Sequence, residues 1–184
     1  MGTPGPEEAI AATRAWIERA VIGLNLCPFA KAVYVKEQIR YTVSEARTSD
    51  ALLDDLVRAL LALAEAPAEE VDTTLLIHPH VFGDFLDYND FLEVADAALE
   101  ELDLTGVLQV ASFHPQYQFA GTAADDITNC TNRSPYPMLH ILREASVGAA
   151  VAAFPDAKSI YRRNIETLRR LGPAGWAALR TKPD

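Results

Sequence analysis

Residues 107–144 read VLQVASFHPQYQFAGTAADDITNCTNRSPYPMLHILRE. Val107 to Phe113 is an apolar run that stops at His114-Pro115 and reads as a strand. The segment from Pro115 to Pro135 is polar and long for a connection inside a compact domain, a length that goes with function or with disorder. Its aromatics, amides and short polar side chains argue for order. Ser134-Pro135 then introduces a second apolar run. It reads as a helix from Tyr136 to about Ala153, with Pro135 and Pro137 suited to a first turn where no N–H is missed.

Working outward towards the N-terminus, the same punctuation recurs. Thr73 to Ile77 is a short apolar run that stops at His78-Pro79, as a buried strand would. Ile39, Tyr41 and Val43 alternate with Arg40 and Thr42, the period of a half-buried strand. Between these runs lie two amphipathic helices. Leu52, Leu53, Leu56, Val57, Leu60 and Leu61 stripe one, capped by Ser49 or Asp50. Phe91, Leu92, Ala95, Ala98, Leu99 and Leu102 stripe the other, capped by Asp87 or Asn89. A first helix from Glu7, with Ile10, Thr13, Ile17, Ala20, Val21 and Leu24 on one face, should end before Pro28. A last helix bearing Tyr161, Ile165 and Leu168 should start at Asp156 and stop at Gly172-Pro173. Strand, helix, strand, helix, strand predicts an α/β fold: one domain over residues 1–184, residues 1–6 frayed, with a short parallel sheet of about three strands and flanking helices.

Composition narrows the functional classes. The chain has 184 residues, 49% of them hydrophobic, enough for one domain with its own core. Its net charge is -10, and no cluster of Lys and Arg suits a phosphate backbone, so neither nucleic acid nor an anionic membrane is expected as partner. No apolar run approaches a membrane span, and the acidic start has no signal-peptide pattern, so a cytoplasmic protein is expected. Two cysteines in a chain of this length make no disulfide framework. Cys27 and Cys130 also lack the spacing of a metal ribbon.

The candidate chemistry follows from the two His-Pro steps. If the strands before them are parallel, His78 and His114 leave the sheet at one carboxyl edge, where open α/β sheets bind ligands. His114 is then the first candidate for acid/base work, with His78 beside it and Asp126 as a carboxylate partner. His78, His80 and His114 are candidate ligands for zinc or iron. The bland reading is that these histidines end strands and bond backbone. A second group comprises Gln116, Asn129, Asn132, Arg133, Ser134 and His140. The helix start expected at Tyr136 would present free N–H groups and partial positive charge, and Arg133 a bidentate fork, to a small anion. Alternatively Ser134 or Thr131 caps that helix and Arg133 pairs with Asp125 or Asp126. Asp84, Asp87 and Asp90 recur at every third residue but suit a helix start. No Gly-rich phosphate loop, HExxH or GxSxG is present.

Three motifs carry a resemblance. They are Leu26-Cys27-Pro28-Phe29-Ala30, the run from Ser112 to Gly121 centred on Phe113-His114-Pro115-Gln116-Tyr117-Gln118-Phe119, and Thr131-Asn132-Arg133-Ser134-Pro135-Tyr136-Pro137 with Leu139-His140 and Arg143-Glu144. With them the chain resembles a bacterial family of uncharacterised proteins, a domain of unknown function. The resemblance implies a bacterial cytoplasmic protein and no particular activity. The residues themselves lead to an expected enzyme acting on a small anionic metabolite through its strand-end histidines. The rivals are a non-catalytic protein holding a metal, haem or metabolite, and a protein-interaction module.

Overall fold

The computed structural model describes residues 3–154 and 156–180. Of the six N-terminal residues expected to fray, Met1 and Gly2 lie outside the described residues, while Pro6 already opens helix α1 (Pro6–Trp16). The proline takes a first-turn position where its missing N–H costs nothing, and Glu7 and Glu8 complement the positive helix end. Ala9, Thr13, Ile17 and Ala20 form the buried face. The helix widens into a π-helical turn over Ile17–Ile22. There a Cβ on Gly23 would lie 2.3 Å from the Arg19 carbonyl oxygen, so only glycine fits. A short helix, α2 (Ala30–Val35), follows Pro28.

The three expected strands form where their patterns place them: β1 (Ile39–Val43), β2 (Thr73–Ile77) and β3 (Leu108–Phe113). Helices α3 (Ser49–Glu65) and α4 (Phe85–Glu101) connect them. Each helix is capped slightly earlier than expected. Thr48 accepts from the Ala51 N–H at the start of α3, and Asp84 accepts from the Leu86 and Asp87 N–H groups at the start of α4. In each case the oxygen serves the N–H groups two or three residues on, which places the cap just outside the first helical turn.

The sheet itself differs from the expected three parallel strands. It has four strands in the order β1-β2-β4-β3, and β4 is Met138–Arg143, within the stretch expected to be helical. β1 and β2 pair in parallel, while β4 pairs antiparallel with β2 on one side and with β3 on the other. The first three strands therefore all run in one direction, as the two crossover helices require, but β3 reaches β2 only through β4. Pro135 and Pro137 bias the residues before them to extended backbone. The facing edges of β2 and β3 then supply the hydrogen bonds that a helix would have supplied internally. Non-local pairing overrides the local preference of Met-Leu-His-Ile-Leu. Helix begins only at Glu144, as α5 (Glu144–Ala153).

The strand alternation distributes the core. Leu76, Leu139, Ile141 and Leu108 face α3 and α4, where Leu52, Leu56, Leu60, Phe91 and Leu99 pack on them. Leu75, Ile77 and Met138 face the opposite way, onto Ala9 of α1 and Ile17 of the π-helical turn. Helix α6 (Ala157–Arg180) follows Asp156, and its first helical run stops at Gly172, both as expected. Gly172 leaves the helical region at φ 71°, and Pro173 opens a second helical segment beyond the kink. Leu168 of α6 packs with Leu26 and Cys130, and the Asn164 side chain donates to the Leu26 carbonyl at 2.9 Å. No helix of the described residues is long and apolar enough to cross a membrane.

Arg143, the last residue of β4, closes the α3 end. Its guanidinium donates to the carbonyls of Leu63 (3.0 Å), Ala66 (2.7 Å) and Val71 (2.8 Å). A cation at a helix C-terminus also opposes the negative end of the dipole. Arg143→Met should therefore lower stability by about 2–3 kcal/mol, the scale of lost hydrogen bonds to a charged group. The midpoint of urea unfolding measures this, and an unchanged midpoint would show that water replaces the guanidinium without loss.

Candidate functional site

His78 and His114 do leave the sheet at one edge, flanking the start of β4. Their backbone N–H groups donate to Pro137 and Asn132 carbonyls. What the edge holds is an aromatic core. The Tyr88 ring lies 5.8 Å from His78, stacked, and 5.0 Å from His114. Phe85 and Phe82 complete the packing against His114 and His78. The Tyr88 hydroxyl donates to the Met138 carbonyl at 2.8 Å and accepts from the Phe113 N–H at 3.0 Å. Both histidines are 0% exposed.

Their hydrogen bonds identify the tautomers. His114 Nε2 faces the Phe82 carbonyl at 2.9 Å and so carries the proton, while its Nδ1 accepts from the Gln116 N–H at 2.9 Å. Both nitrogens are occupied by backbone. In His78 the order is reversed: Nδ1 faces the Val81 carbonyl at 3.1 Å, and Nε2 is buried without a partner. His140 is not near this edge. It sits on β4, and its Nε2 meets Thr73 Oγ1 at 2.8 Å; that hydroxyl already donates to the Ile141 carbonyl, so the imidazole is the donor. His80 follows on the same loop as His78, with its Nδ1 buried and unpartnered. Among the described residues no three His, Cys, Asp or Glu side chains converge closely enough to share a metal ion, so His78, His80 and His114 do not form the triad that a zinc or iron site needs.

The other expected residues mostly organise the long loop. Asn129 is 0% exposed; its Oδ1 accepts from the Phe119 N–H and the Thr122 hydroxyl, and its Nδ2 donates to Ala123. Asn132 donates to the Ser112 carbonyl. Asp126 caps a 3-10 helix (Ile127–Asn132) by accepting from Thr128 N–H and Oγ1, which also hold its carboxyl below the usual range. Gln116 is exposed and contributes its N–H to His114. Because residues 136–143 are not helical, there is no helix start at Tyr136, and that half of the expected anion clamp is overturned.

Arg133 and Ser134 are placed differently. They line a cleft of about 770 Å³ between α1, the 133–136 segment and the end of α6. Arg133 is held by its own loop, donating from Nε to the Tyr117 carbonyl (3.1 Å) and from Nη2 to that of Ala124 (2.5 Å). No ion pair joins it to Asp125 or Asp126 among the described residues. Its guanidinium also reaches Cys130, whose thiol burial nevertheless pushes up. Arg19 from the π-helical turn and Arg180 from α6 share the lining, and Glu8 is its one carboxylate among the described residues. Trp16, Tyr136 and Trp176 supply aromatic wall, and Ala11, Ala12 and Ala15 keep the α1 side open. Sequence reading missed this cleft because its residues lie at both ends of the chain. The one available signal was that both tryptophans fall outside the long loop.

The buried histidines make stability depend on pH. Burial lowers His78 and His140 from 6.5 to about 4, against the opposing pull of the Val81 carbonyl and of Asp72 respectively, and lowers His114 too. The fold thus favours neutral rings. Stability is complete above about pH 6.5 and falls as the unfolded chain takes up protons, until the folded rings titrate as well. Between pH 7 and 5.5, above most carboxylate titration, denaturant unfolding should lose about 1 kcal/mol for each fully shielded ring. A flat profile over that range would mean that the rings are hydrated.

Residues 8–178 match the family model described as "Protein of unknown function (DUF1415)". Neither the curated proteins nor the solved structures include a match to this chain. The matched span contains the whole sheet, the aromatic edge with both strand-end histidines, and all of the cleft lining except Leu179 and Arg180. The chain belongs to the DUF1415 family.

Proposed function

We propose that this protein binds a small anionic metabolite, and that the ligand occupies the cleft between α1 and α6 rather than the histidine edge. The observation that carries the reading is electrostatic. In a chain of net charge -10, Arg133 and Arg180 from separate elements line one concave surface, with Glu8 as the one carboxylate among its described lining residues. An anion meets repulsion over most of the remaining surface, so a local positive pocket concentrates it. Arg133 is the fixed member. The Tyr117 and Ala124 carbonyls take up part of its five N–H donors, which orients the guanidinium before any ligand arrives. Ser134 adds a hydroxyl whose hydrogen bond to the Tyr136 carbonyl keeps the segment extended. The size of the cleft lies in the range of small-molecule sites.

An acid/base role for His114 fits the geometry poorly, because both ring nitrogens already serve backbone groups. The chemistry, if any follows binding, would come from groups at the cleft.

Titration calorimetry with inorganic phosphate and with acetate at low ionic strength tests the reading. Binding should weaken as salt is added. Arg180→Gln, an exposed change, should weaken it at least tenfold while moving stability by no more than about 0.5 kcal/mol. Unaltered affinity in Arg180→Gln would exclude the cleft as the anion site.

A further inference from the structure

The chain has two tryptophans, and both line this one cleft. They come from elements at opposite ends of the sequence, Trp16 from α1 and Trp176 from the segment of α6 beyond the Gly172 kink. Neither is a loose surface ring. Trp16 is held edge-on by Phe113, with centroids 5.3 Å apart and planes at 71°. Trp176 packs on the cluster formed by Leu26, Cys130 and Leu168. Each indole is therefore anchored in the protein and also faces the cleft. Tyr136 adds a third ring to the same lining.

An inorganic anion uses none of this. It is far smaller than about 770 Å³, and would leave two fixed indoles wet beside it. Aromatic rings favour offset-stacked or edge-on partners, and a guanidinium fork recognises carboxylate or phosphate oxygens in pairs. The alanine face of α1 keeps open a volume that larger side chains would fill.

We propose that the cleft takes a ring-bearing anion, an aryl or heteroaryl phosphate or carboxylate, with its ring against Trp16 and Trp176 and its charge at Arg133 and Arg180. This rests on the anion reading above and narrows it to one ligand class. The indoles select the ring and the arginines select the charge, so each half of the ligand alone binds weakly.

Matched probes separate the two halves: phenyl phosphate against inorganic phosphate, and benzoate against acetate, by calorimetry with indole emission recorded in parallel. The ring-bearing member of each pair should bind at least tenfold tighter and alter tryptophan emission. The stronger pair identifies the preferred head group. Trp176→Leu should abolish the advantage of the ring, and Trp176→Phe should restore most of it. Because Trp176 also packs on the core, Ala11→Leu supplies a second variant. Ala11 is an exposed helix position that lines the cleft, so leucine there should fold normally and weaken phenyl phosphate more than phosphate. Equal affinity for phenyl phosphate and inorganic phosphate would overturn the ring proposal and leave the anion reading standing. No binding of any of the four probes at millimolar concentration would overturn both.

Discussion

The backbone of Met138–Arg143 hydrogen-bonds on both sides, to β2 along one edge and to β3 along the other. Without it, β2 and β3 would each present an open edge, and every unpaired N–H and C=O buried there would cost free energy. The Tyr88 hydroxyl adds a clamp across the same junction, joining the Met138 carbonyl to the Phe113 N–H from the α4 side. A phenol buried so deeply is held neutral, with its pKa driven upward by desolvation. It is tolerated because both its donor and its acceptor capacity are used. Loss of that hydroxyl would leave the Phe113 N–H without its acceptor.

The same junction explains the histidines. A His-Pro step at the end of β2 and again at the end of β3 turns each chain away beside the start of β4. Each imidazole then ties a loop. His114 binds the 82–84 turn through Phe82 and the 115–117 turn through Gln116, and His78 holds its own turn through Val81. Imidazole suits this task because its neutral form is one donor and one acceptor on a flat ring that packs against Tyr88. Their burial fits this structural role.

The long segment from Pro115 to Pro135 is ordered by short polar side chains rather than by an apolar core of its own. Asn129, Thr122 and Asp126 each satisfy loop backbone, and Asn132 ties the loop to the Ser112 carbonyl of β3. That order has a consequence beyond the loop. It fixes Arg133 against two carbonyls and brings the Arg133–Tyr136 segment to the side of α1, where α6 closes the third wall. Fold and candidate site are thus linked by hydrogen bonds that lie outside regular secondary structure. The cleft depends on the loop, while the sheet does not depend on the cleft.

The sequence by itself determined the elements whose signals are local. The three co-directional strands, the two crossover helices and the common edge for His78 and His114 all follow from periodicity and proline placement. Arg133 and Ser134 were legible as candidates because charge and hydroxyl stand out in any loop, and both line the cleft. Tertiary structure alone decided two things. Met138–Arg143 is a strand because two open ladders lie on either side of it, and a helical reading of the same residues breaks no local rule. The cleft exists because Trp16 and Trp176 meet across 160 positions of chain. Contacts of that separation leave no periodic trace, since each end is patterned only for its own helix. The physical reason is the same in both cases: hydrogen bonds and packing between distant segments are properties of the folded arrangement, and no window of neighbouring residues contains them.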